Sequence, residues 1–477
     1  MNKLERFGLT EGQLRTIISE GLRDGGDWCD LYLEDTSYYD LMLRDGSVGT
    51  GGFHIDYGCG IRVLKGEKTG YAYAESTDFQ ELVSAARAAG SIATGGAGKT
   101  SCGNCLNHYR SDSETVQRRN HYPIEKDWRE AEAKSFIPFL ERLEKGIKTR
   151  DSRAEKVTAM LSYSISEIAM FNSFGELTSD RRPLGSITLS IVFKQGDMIE
   201  SRNVSRSLRM GVEMLTGEVL QDLIDRSVKG IDERFAARRP KGGQMPVVMA
   251  AGASGILLHE AMGHAFEADF NRKGQSIFTD RMGKRICRKG INILDDGTVP
   301  FNRGACNYDD EGIPGQKTYM VTDGVLTSYL HDRISAAWYG VAPTGNGRRE
   351  SFRYNPIPRM RATYMENGTD GNLDDLIGSV KKGIFVDQFA NGQVKIGEGD
   401  FTFYVKSGWL IEKGRLTMPV KDINIIGNGP QALADIEAVA GDLKIDESTW
   451  TCGKEQSVAV SCGIPSVLIK NLTVGGE

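Results

Sequence analysis

Apolar residues follow two different spacings along the first part of the chain. Thr10 followed by Gln13 forms a capping-box pattern, and it precedes a helical repeat of Leu14, Ile17, Ile18 and Leu22. Strand-like segments come next, and we predict separate strands near residues 31–33, 39–43, 60–64 and 70–74, joined by Gly and Asp turns. Asp78 with Glu81 then predicts the start of a second helix.

The middle of the chain continues this mixture of helices and strands. Residues 97–120 are rich in Gly, Ser, Asn and Arg, which is typical of a loop. We predict a charged helix over 125–147, strands over 157–170 and 187–193, and an amphipathic helix over 212–235. The segment Arg-Arg-Pro-Lys-Gly-Gly at 238–243 interrupts every period. We therefore predict two domains, 1–238 and 239–477.

The sequence pattern of the second half predicts more strands and fewer helices than that of the first half. A buried strand over 244–250, a turn and a helix over 255–270 are followed by short apolar runs between Gly, Asp and Asn turns. This pattern is typical of a largely antiparallel, barrel-like or rolled sheet. The predicted fold class is α+β, with an N-terminal α/β domain and a C-terminal β-rich domain that carries the helix at 255–270.

The composition limits which kinds of binding partner and which cellular compartment we expect. The 477 residues are 39% hydrophobic and 26% charged, and the net charge of −5 gives no basic surface for nucleic acid. The most apolar stretch, 246–258, is shorter than the ~20 residues that a membrane helix needs, so we expect no membrane partner. Eight sparse cysteines and the absence of an export signal favour a reducing compartment, and we predict a cytoplasmic protein.

The candidate chemistry is concentrated at His259, Glu260 and His264, which fall within six positions in a chain with six histidines. A five-residue spacing places the two histidines roughly 140° apart on a regular α-helix, too far apart to bind one metal ion. We therefore predict a π-bulge or local unwinding between Ala261 and His264, where Gly263 allows a helix to deform. The alternative is a core helix whose histidines donate to carbonyl groups.

Glu260 favours the metal-site interpretation. It lies in a segment rich in Leu, Ala, Met and Phe, where an unpaired carboxylate is costly. Beside a metal it could act as general base and accept a proton from water that attacks a carbonyl. A catalytic zinc ion usually has three protein ligands, so one more ligand is needed.

Several residues could supply that third ligand. Glu267 and Asp269 are close in sequence, but Glu267 is better explained as a support for a ligand or as an exposed charge. Cysteine is the better donor, and the candidates are Cys287, Cys306, Cys452 and Cys462. Cys452 ranks slightly first because Gly453 frees its backbone and Lys454 could favour the thiolate. Cys462 is better explained as a small core residue.

Ordered motifs over the whole length resemble the TldD/PmbA family of metallopeptidases, in its metal-bearing TldD branch. They are GCGIRVLKGEKTGYAYAE at 58–75, HEAMGHAFEADFNRKGQSIF at 259–278, DDEGIPGQ at 309–316, GVAPTGNGRRESFR at 340–353, PIPRM at 356–360, LIEKGRLTMPVK at 410–421, TCGKEQS at 451–457 and the terminal LTVGG. The resemblance implies His259, His264 and Cys452 as metal ligands and Glu260 as general base. It implies one Zn²⁺ per chain, although another divalent metal would also suit the site.

The resemblance also implies a peptidase that cleaves unfolded or small peptides as a homodimer, or as a heterodimer with a PmbA/TldE-type subunit. The alternative function is a non-catalytic peptide-binding subunit of such a heteromer, and a regulator of DNA topology is a second rival without a basic surface to support it. Two features depart from the family. The Cys452 loop is one residue shorter than the family's Cys-Gly-Lys-x-Gly-Gln, and Cys102 and Cys105, with His108 and His121 nearby, form either a surface loop or a second metal site.

Arg348 and Arg349 are candidates for binding a peptide carboxylate. The alternative is that they form structural ion pairs with Glu350 or with neighbouring Asp residues.

Overall fold

The first half of the protein is built on one six-stranded antiparallel sheet. The structure is a computed structural model, and it describes residues 4–95 and 120–476. The strand order is β3-β2-β1-β4-β5-β6. The strands are β1 (Trp28–Arg44), β2 (Ser47–Lys65), β3 (Lys68–Ala74), β4 (Ala154–Asn172), β5 (Leu177–Gln195) and β6 (Met198–Leu208).

Five helices cover one face of this sheet. They are α1 (Glu11–Leu22), α2 (Phe79–Thr94), α3 (Ile137–Arg150), α4 (Gly217–Val228) and α5 (Ile231–Ala236). Side chains alternate along a strand, so Leu31 and Leu33 of β1 pack in the core under α1 and α2. Tyr32 of the same strand points to the opposite face and packs against Phe352 of the C-terminal half. The sheet therefore lies between a helical layer and the C-terminal half.

The C-terminal half contains a closed barrel and a second sheet. Strand β14 pairs with both β7 and β15, and this closes a five-stranded barrel in the order β14-β7-β23-β17-β15. Strand β16 extends β15, and β18 pairs with β23. These strands are β7 (Gly243–Met249), β14 (Lys382–Lys395), β15 (Asp400–Glu412), β16 (Arg415–Val420), β17 (Ile423–Asn428), β18 (Ile436–Val439) and β23 (Val467–Gly475).

The second sheet has the order β10-β9-β8-β13-β22-β19, and two short hairpins, β11-β12 and β20-β21, accompany it. The strands are β8 (Ile293–Asp296), β9 (Lys317–Thr322), β10 (Val325–Leu326), β11 (Gly347–Arg348), β12 (Ile357–Pro358), β13 (Ala362–Met365), β19 (Lys444–Ile445), β20 (Thr451–Lys454), β21 (Gln456–Ala459) and β22 (Ser461–Ile464). The helices of this half are α6 (Ile256–Leu258), α7 (Ala268–Arg272), α8 (Arg333–Tyr339), α9 (Leu373–Ser379) and α10 (Gly429–Ala434). The α+β class and the rolled, largely antiparallel C-terminal half are confirmed.

Several predicted elements differ in extent. The segments 31–33 and 39–43 belong to one strand, β1, because β2 and β4 pair with it continuously on both sides. The charged helix begins only at Ile137, after two 3₁₀ turns. The amphipathic helix over 212–235 is divided at Gly230, whose φ of 73° lies in the left-handed region. The Thr10 capping box and the Asp78 cap are confirmed.

Buried ion pairs join the two halves at the face of the first sheet that is turned away from its helices. Arg62, which is fully buried, donates to Asp30 of the same sheet at 2.8 Å and to Glu311 of the C-terminal half at 2.6 Å. Arg349 donates to the carbonyl oxygen of Asp310 at 2.9 Å and lies 3.5 Å from the Asp30 carboxylate. We call Arg62, Asp30, Glu311, Arg349 and Asp310 the inter-half cluster.

In the parts of the chain that the structure describes, no helix has both the length and the apolar content to cross a membrane. Cys102, Cys105 and His108 lie outside the described residues, so their prediction stays open.

Candidate metal centre

The helix predicted over 255–270 changes its winding at the candidate site. After α6 the backbone forms a π-helical turn over His259–Gly263, in which the His264 amide donates to the His259 carbonyl oxygen. A 3₁₀ turn over His264–Phe266 follows. The wider turn places the two imidazole rings on one side, with centroids 5.0 Å apart. The predicted distortion between Ala261 and His264 is confirmed.

Gly263 is required at this turn for a different reason from the one predicted. Its φ is −56°, which any residue can adopt. A Cβ atom at this position would lie 2.1 Å from the Met360 sulfur, far inside van der Waals contact. Close packing of the turn on Met360, not backbone freedom, therefore explains the glycine.

The third predicted ligand comes from the β20-β21 hairpin. Cys452 Sγ lies 3.2 Å from His259 Nε2 and 3.2 Å from His264 Nε2. Potential ligand atoms of all three residues lie within 4.8 Å of one another, and all three side chains are buried. Among the described residues, no other group of three His, Cys, Asp or Glu residues comes together in this way.

The donor set fits a zinc ion. Zn–S bonds of about 2.3 Å and Zn–N bonds of about 2.1 Å at a tetrahedral angle separate sulfur from nitrogen by about 3.5 Å. The two observed separations of 3.2 Å are close to that value. Two imidazole nitrogens and one thiolate also leave a fourth position for water or substrate, as catalytic zinc sites do.

The other ligand candidates have different positions. Glu267 Oε2 lies 3.0 Å from His264 Nδ1, which is the position expected of a support for this candidate ligand. Asp269 accepts from Lys454 Nζ at 2.8 Å. Cys287 and Cys306 are buried and outside the ligand group, and Cys462 lies in the wall of a neighbouring cavity.

A buried charge network fixes the orientation of His264. Glu267 is fully buried, and Lys454 Nζ lies 3.1 Å from its Oε2 atom. Because Nδ1 of His264 faces Glu267, Nε2 is directed towards Cys452. Lys454 was expected to favour the Cys452 thiolate, but its ammonium group lies against Glu267 and Asp269 instead.

Arg359 holds the hairpin that carries Cys452. Its guanidinium group is fully buried and donates to three carbonyl oxygens of the hairpin: Cys452 at 2.7 Å, Gln456 at 2.8 Å and Lys454 at 3.3 Å. No sequence pattern predicted a role for Arg359. The only signal for it was its place in the Pro-Ile-Pro-Arg-Met motif.

The three candidate ligands and Glu267 shift one another's pKa values. Burial raises the pKa of the Cys452 thiol, but His259 and His264 outweigh burial and lower that pKa to about 4. Burial lowers the pKa of His264, whereas Glu267 and Cys452 raise it to about 10. Burial likewise raises the pKa of Glu267, but Lys454 and His264 bring it to about 2. A metal ion held by His264 Nε2 would therefore have to displace a proton.

Glu260 lies beside the ligands at a small cavity. This cavity of about 170 Å³ is lined by Glu260, His259, Trp450, Thr451, Cys462 and a few neighbours, and it has room for several water molecules. Burial raises the pKa of Glu260. The carboxylate thus faces space where water and part of a substrate can sit next to the ligand group.

Arg348 and Arg349 lie outside this site. Both are buried, and Arg348 donates to the carbonyl oxygens of Met360 at 2.5 Å and Ala459 at 2.7 Å. Arg349 belongs to the inter-half cluster. The structure therefore favours structural roles over carboxylate binding for both residues.

A β-rich fold with a buried His-His-Cys group and an adjacent glutamate defines a candidate metal-dependent hydrolase. Domain models of the PmbA/TldA metallopeptidases match domain 1 at residues 29–93, the central domain at 126–238 and the C-terminal domain at 242–476. The chain belongs to this family.

Similar proteins carry names that agree with a metal-dependent hydrolase. The Metalloprotease TldD homolog of Haemophilus influenzae is 37% identical over 94% of this chain and 93% of its own length. The Zinc metalloprotease TldD homolog of Saccharolobus solfataricus is 33% identical over 61% of this chain and 65% of its own length. The crystal structure of TldE from Thermococcus kodakarensis superposes with a TM-score of 0.75 at 19% identity, covering 97% of this chain and 100% of that one. The names of the relatives support a metallopeptidase, and the TldE likeness shows the fold.

Proposed function

We propose that this protein is a zinc-dependent peptidase that hydrolyses unfolded or small peptides, with Glu260 as general base. The observation that carries the proposal is the convergence of His259, His264 and Cys452 beside Glu260 at one cavity. A bound zinc ion would lower the pKa of water and polarise the scissile carbonyl group. The name of the Saccharolobus solfataricus relative also supports zinc.

Side chains of the protein transfer the proton and hold the candidate ligands in position. Glu260 accepts a proton from the attacking water and passes it to the leaving amine. Its partly buried position raises its pKa, which makes it a better proton acceptor than an exposed glutamate. Glu267 and Arg359 keep His264 and the Cys452 hairpin in place.

The size and position of the cavity support small or unfolded peptides as substrates. Glu260 lines a half-open cavity of only about 170 Å³. A small or unfolded peptide fits so narrow a cavity better than a folded domain does. The alternative, a peptide-binding subunit without catalysis, would keep the same ligand group but would not turn over substrate.

We also propose a homodimer or a heterodimer with a PmbA/TldE-type subunit. The fold shared with TldE makes a pairing of two like-shaped subunits plausible on structural grounds. Sedimentation of the purified chain, alone and after mixing with such a subunit, tests this. A chain that stays monomeric in both experiments would contradict it.

The Glu260→Gln variant tests the catalytic role. We expect loss of at least about 100-fold in the rate of cleavage of an unstructured peptide, with unchanged zinc content, because glutamine cannot accept the proton. Glu155→Gln, at an exposed position of β4, is the matched control and should retain full activity. Retained cleavage in Glu260→Gln would refute the role of Glu260. Binding of peptide without cleavage by the zinc-loaded wild type would favour the non-catalytic alternative.

A further inference from the structure

A second and larger cavity lies away from the metal ligands, at the junction of the two halves. Its volume is about 730 Å³, within the range of small-molecule sites in proteins. One wall is formed by the edge strand β6 with α4 and α5, and the facing wall by β14 and β15 of the barrel. No ligand of the metal centre contributes to this lining.

Two cations of the lining that are buried or half-buried, Arg202 and Lys406, have no partner among the described residues, whereas Lys229 and Lys444 also have none but are exposed to solvent. Arg202 is only 9% exposed, and among the described residues its guanidinium group has no hydrogen bond or ion pair. Asp387 and Glu233 attract it only from beyond ion-pair distance. The ammonium group of Lys406, on the opposite wall, likewise has no partner in the described part of the chain. A buried charge without a partner is costly, and an anionic ligand in this cavity would offset that cost.

The neighbouring arginines and Lys421 are already paired. Arg234 and Lys421 share the Glu200 carboxylate. Arg206 pairs with Glu447 at 2.7 Å and reaches Asp222 at 3.7 Å, and Arg226 pairs with Asp222 at 3.3 Å. The positive charge of Arg202 and Lys406 is therefore available to a ligand. Burial, with Arg234 and Arg202 nearby, lowers the pKa of Lys406 to about 8, as expected for a cation without a counter-charge.

Apolar side chains complete the site. Phe385 is almost fully buried, and the partly buried Trp409 packs with it. A pocket with two free cations and an aromatic wall suits a ligand that has anionic groups on a compact body.

We propose that this cavity binds a small multivalent anion, with phosphate or carboxylate groups, through Arg202 and Lys406. The site is separate from the candidate metal centre, so the inference does not depend on the proposed peptidase activity.

Calorimetric titration of the full-length, zinc-loaded protein tests the proposal. Sulfate serves as the probe for a phosphate-shaped anion and succinate as the probe for a dicarboxylate, at constant ionic strength. We expect at least one probe to bind with a dissociation constant of about 1 mM or tighter. The tighter probe identifies the class of anionic group. Absence of binding by both probes would overturn the proposal.

Single-residue variants test where the anionic probe binds. Arg202→Gln and Lys406→Gln should each weaken it by about tenfold, whereas the exposed Arg415→Gln on β16 should leave it unchanged. The probe should also raise the melting temperature of the wild type but not that of Arg202→Gln. Without the probe, Arg202→Gln should melt no lower than the wild type, because it removes an unpaired buried charge. Equal stabilisation of wild type and Arg202→Gln would indicate a general salt effect and would overturn the proposal.

Discussion

Arg62 and Cys452 both lie at the centre of buried polar clusters, but their surroundings differ. In the inter-half cluster, donors face acceptors: the Arg62 guanidinium meets the carboxylates of Asp30 and Glu311. Around Cys452, one sulfur and two imidazole nitrogens face the same small space. A single proton can join only some of these atoms, whereas a metal ion satisfies all three.

The comparison shows that burial and charge alone do not mark a functional site. Arg348 and Arg349 are as buried as the candidate metal ligands, but carbonyl oxygens already accept from their terminal guanidinium nitrogens. What distinguishes the candidate centre is the convergence of electron-pair donors. The second cavity has a different feature: the whole guanidinium group of Arg202 is buried there without a partner among the described residues.

The largest effect is expected from breaking the inter-half cluster. Arg62→Ala leaves Asp30 and Glu311 buried without their cation, and we expect it to lower the free energy of unfolding by about 3–5 kcal/mol. Urea denaturation measures this loss. The control is Arg353→Ala, because Arg353 is 31% exposed in its ion pairs with Asp56 and Glu75 and should cost at most about 1 kcal/mol. Equal losses in the two variants would contradict the structural role of the cluster.

A smaller effect is expected from the support of the metal centre. Glu267→Gln removes the negative charge that fixes His264, and we expect zinc affinity to fall by about 10–100-fold with little change in the fold. Competition with a zinc-binding dye gives the affinity. Asp269→Asn is the control, since it alters the Lys454 contact but keeps the contact between Glu267 and His264. Wild-type affinity in Glu267→Gln would show that this contact is unimportant.

The smallest expected effect is the change of zinc affinity with pH. With pKa values of about 10 for His264 and about 4 for Cys452, the metal-free cluster holds a proton on His264 at pH 7. Zinc must displace it, so affinity should rise with pH by about tenfold per unit and level off near pH 10. Calorimetry at pH 7 in two buffers with different ionisation enthalpies should show release of about one proton. Zinc binding without proton release would contradict this view of the site.

Local geometry made part of the site predictable from the sequence. The five-residue spacing of His259 and His264 excluded a regular helix, and the π-helical turn follows from it. The role of Gly263 was misjudged because the contact with Met360 joins residues distant in sequence. Cys452 was only one of several ligand candidates by composition, and its place came from the family resemblance.

Long-range pairing explains what could not be predicted. The segment 34–38 resembled a turn, but β2 and β4 hold it as continuous strand on both sides. No local pattern predicts the contacts of Arg359 with its hairpin, about 95 positions away, or of Arg62 with Glu311, 249 positions away. Buried contacts of this kind become visible only in the folded structure.

Metal analysis of the wild type and the Cys452→Ser variant tests the central claim most directly. We expect one zinc ion per wild-type chain and substantial loss of zinc from Cys452→Ser, together with loss of peptide cleavage, because serine does not supply a thiolate. Cys462→Ser is the matched control and should keep its zinc. Stoichiometric metal in Cys452→Ser would contradict the His259, His264 and Cys452 ligand set.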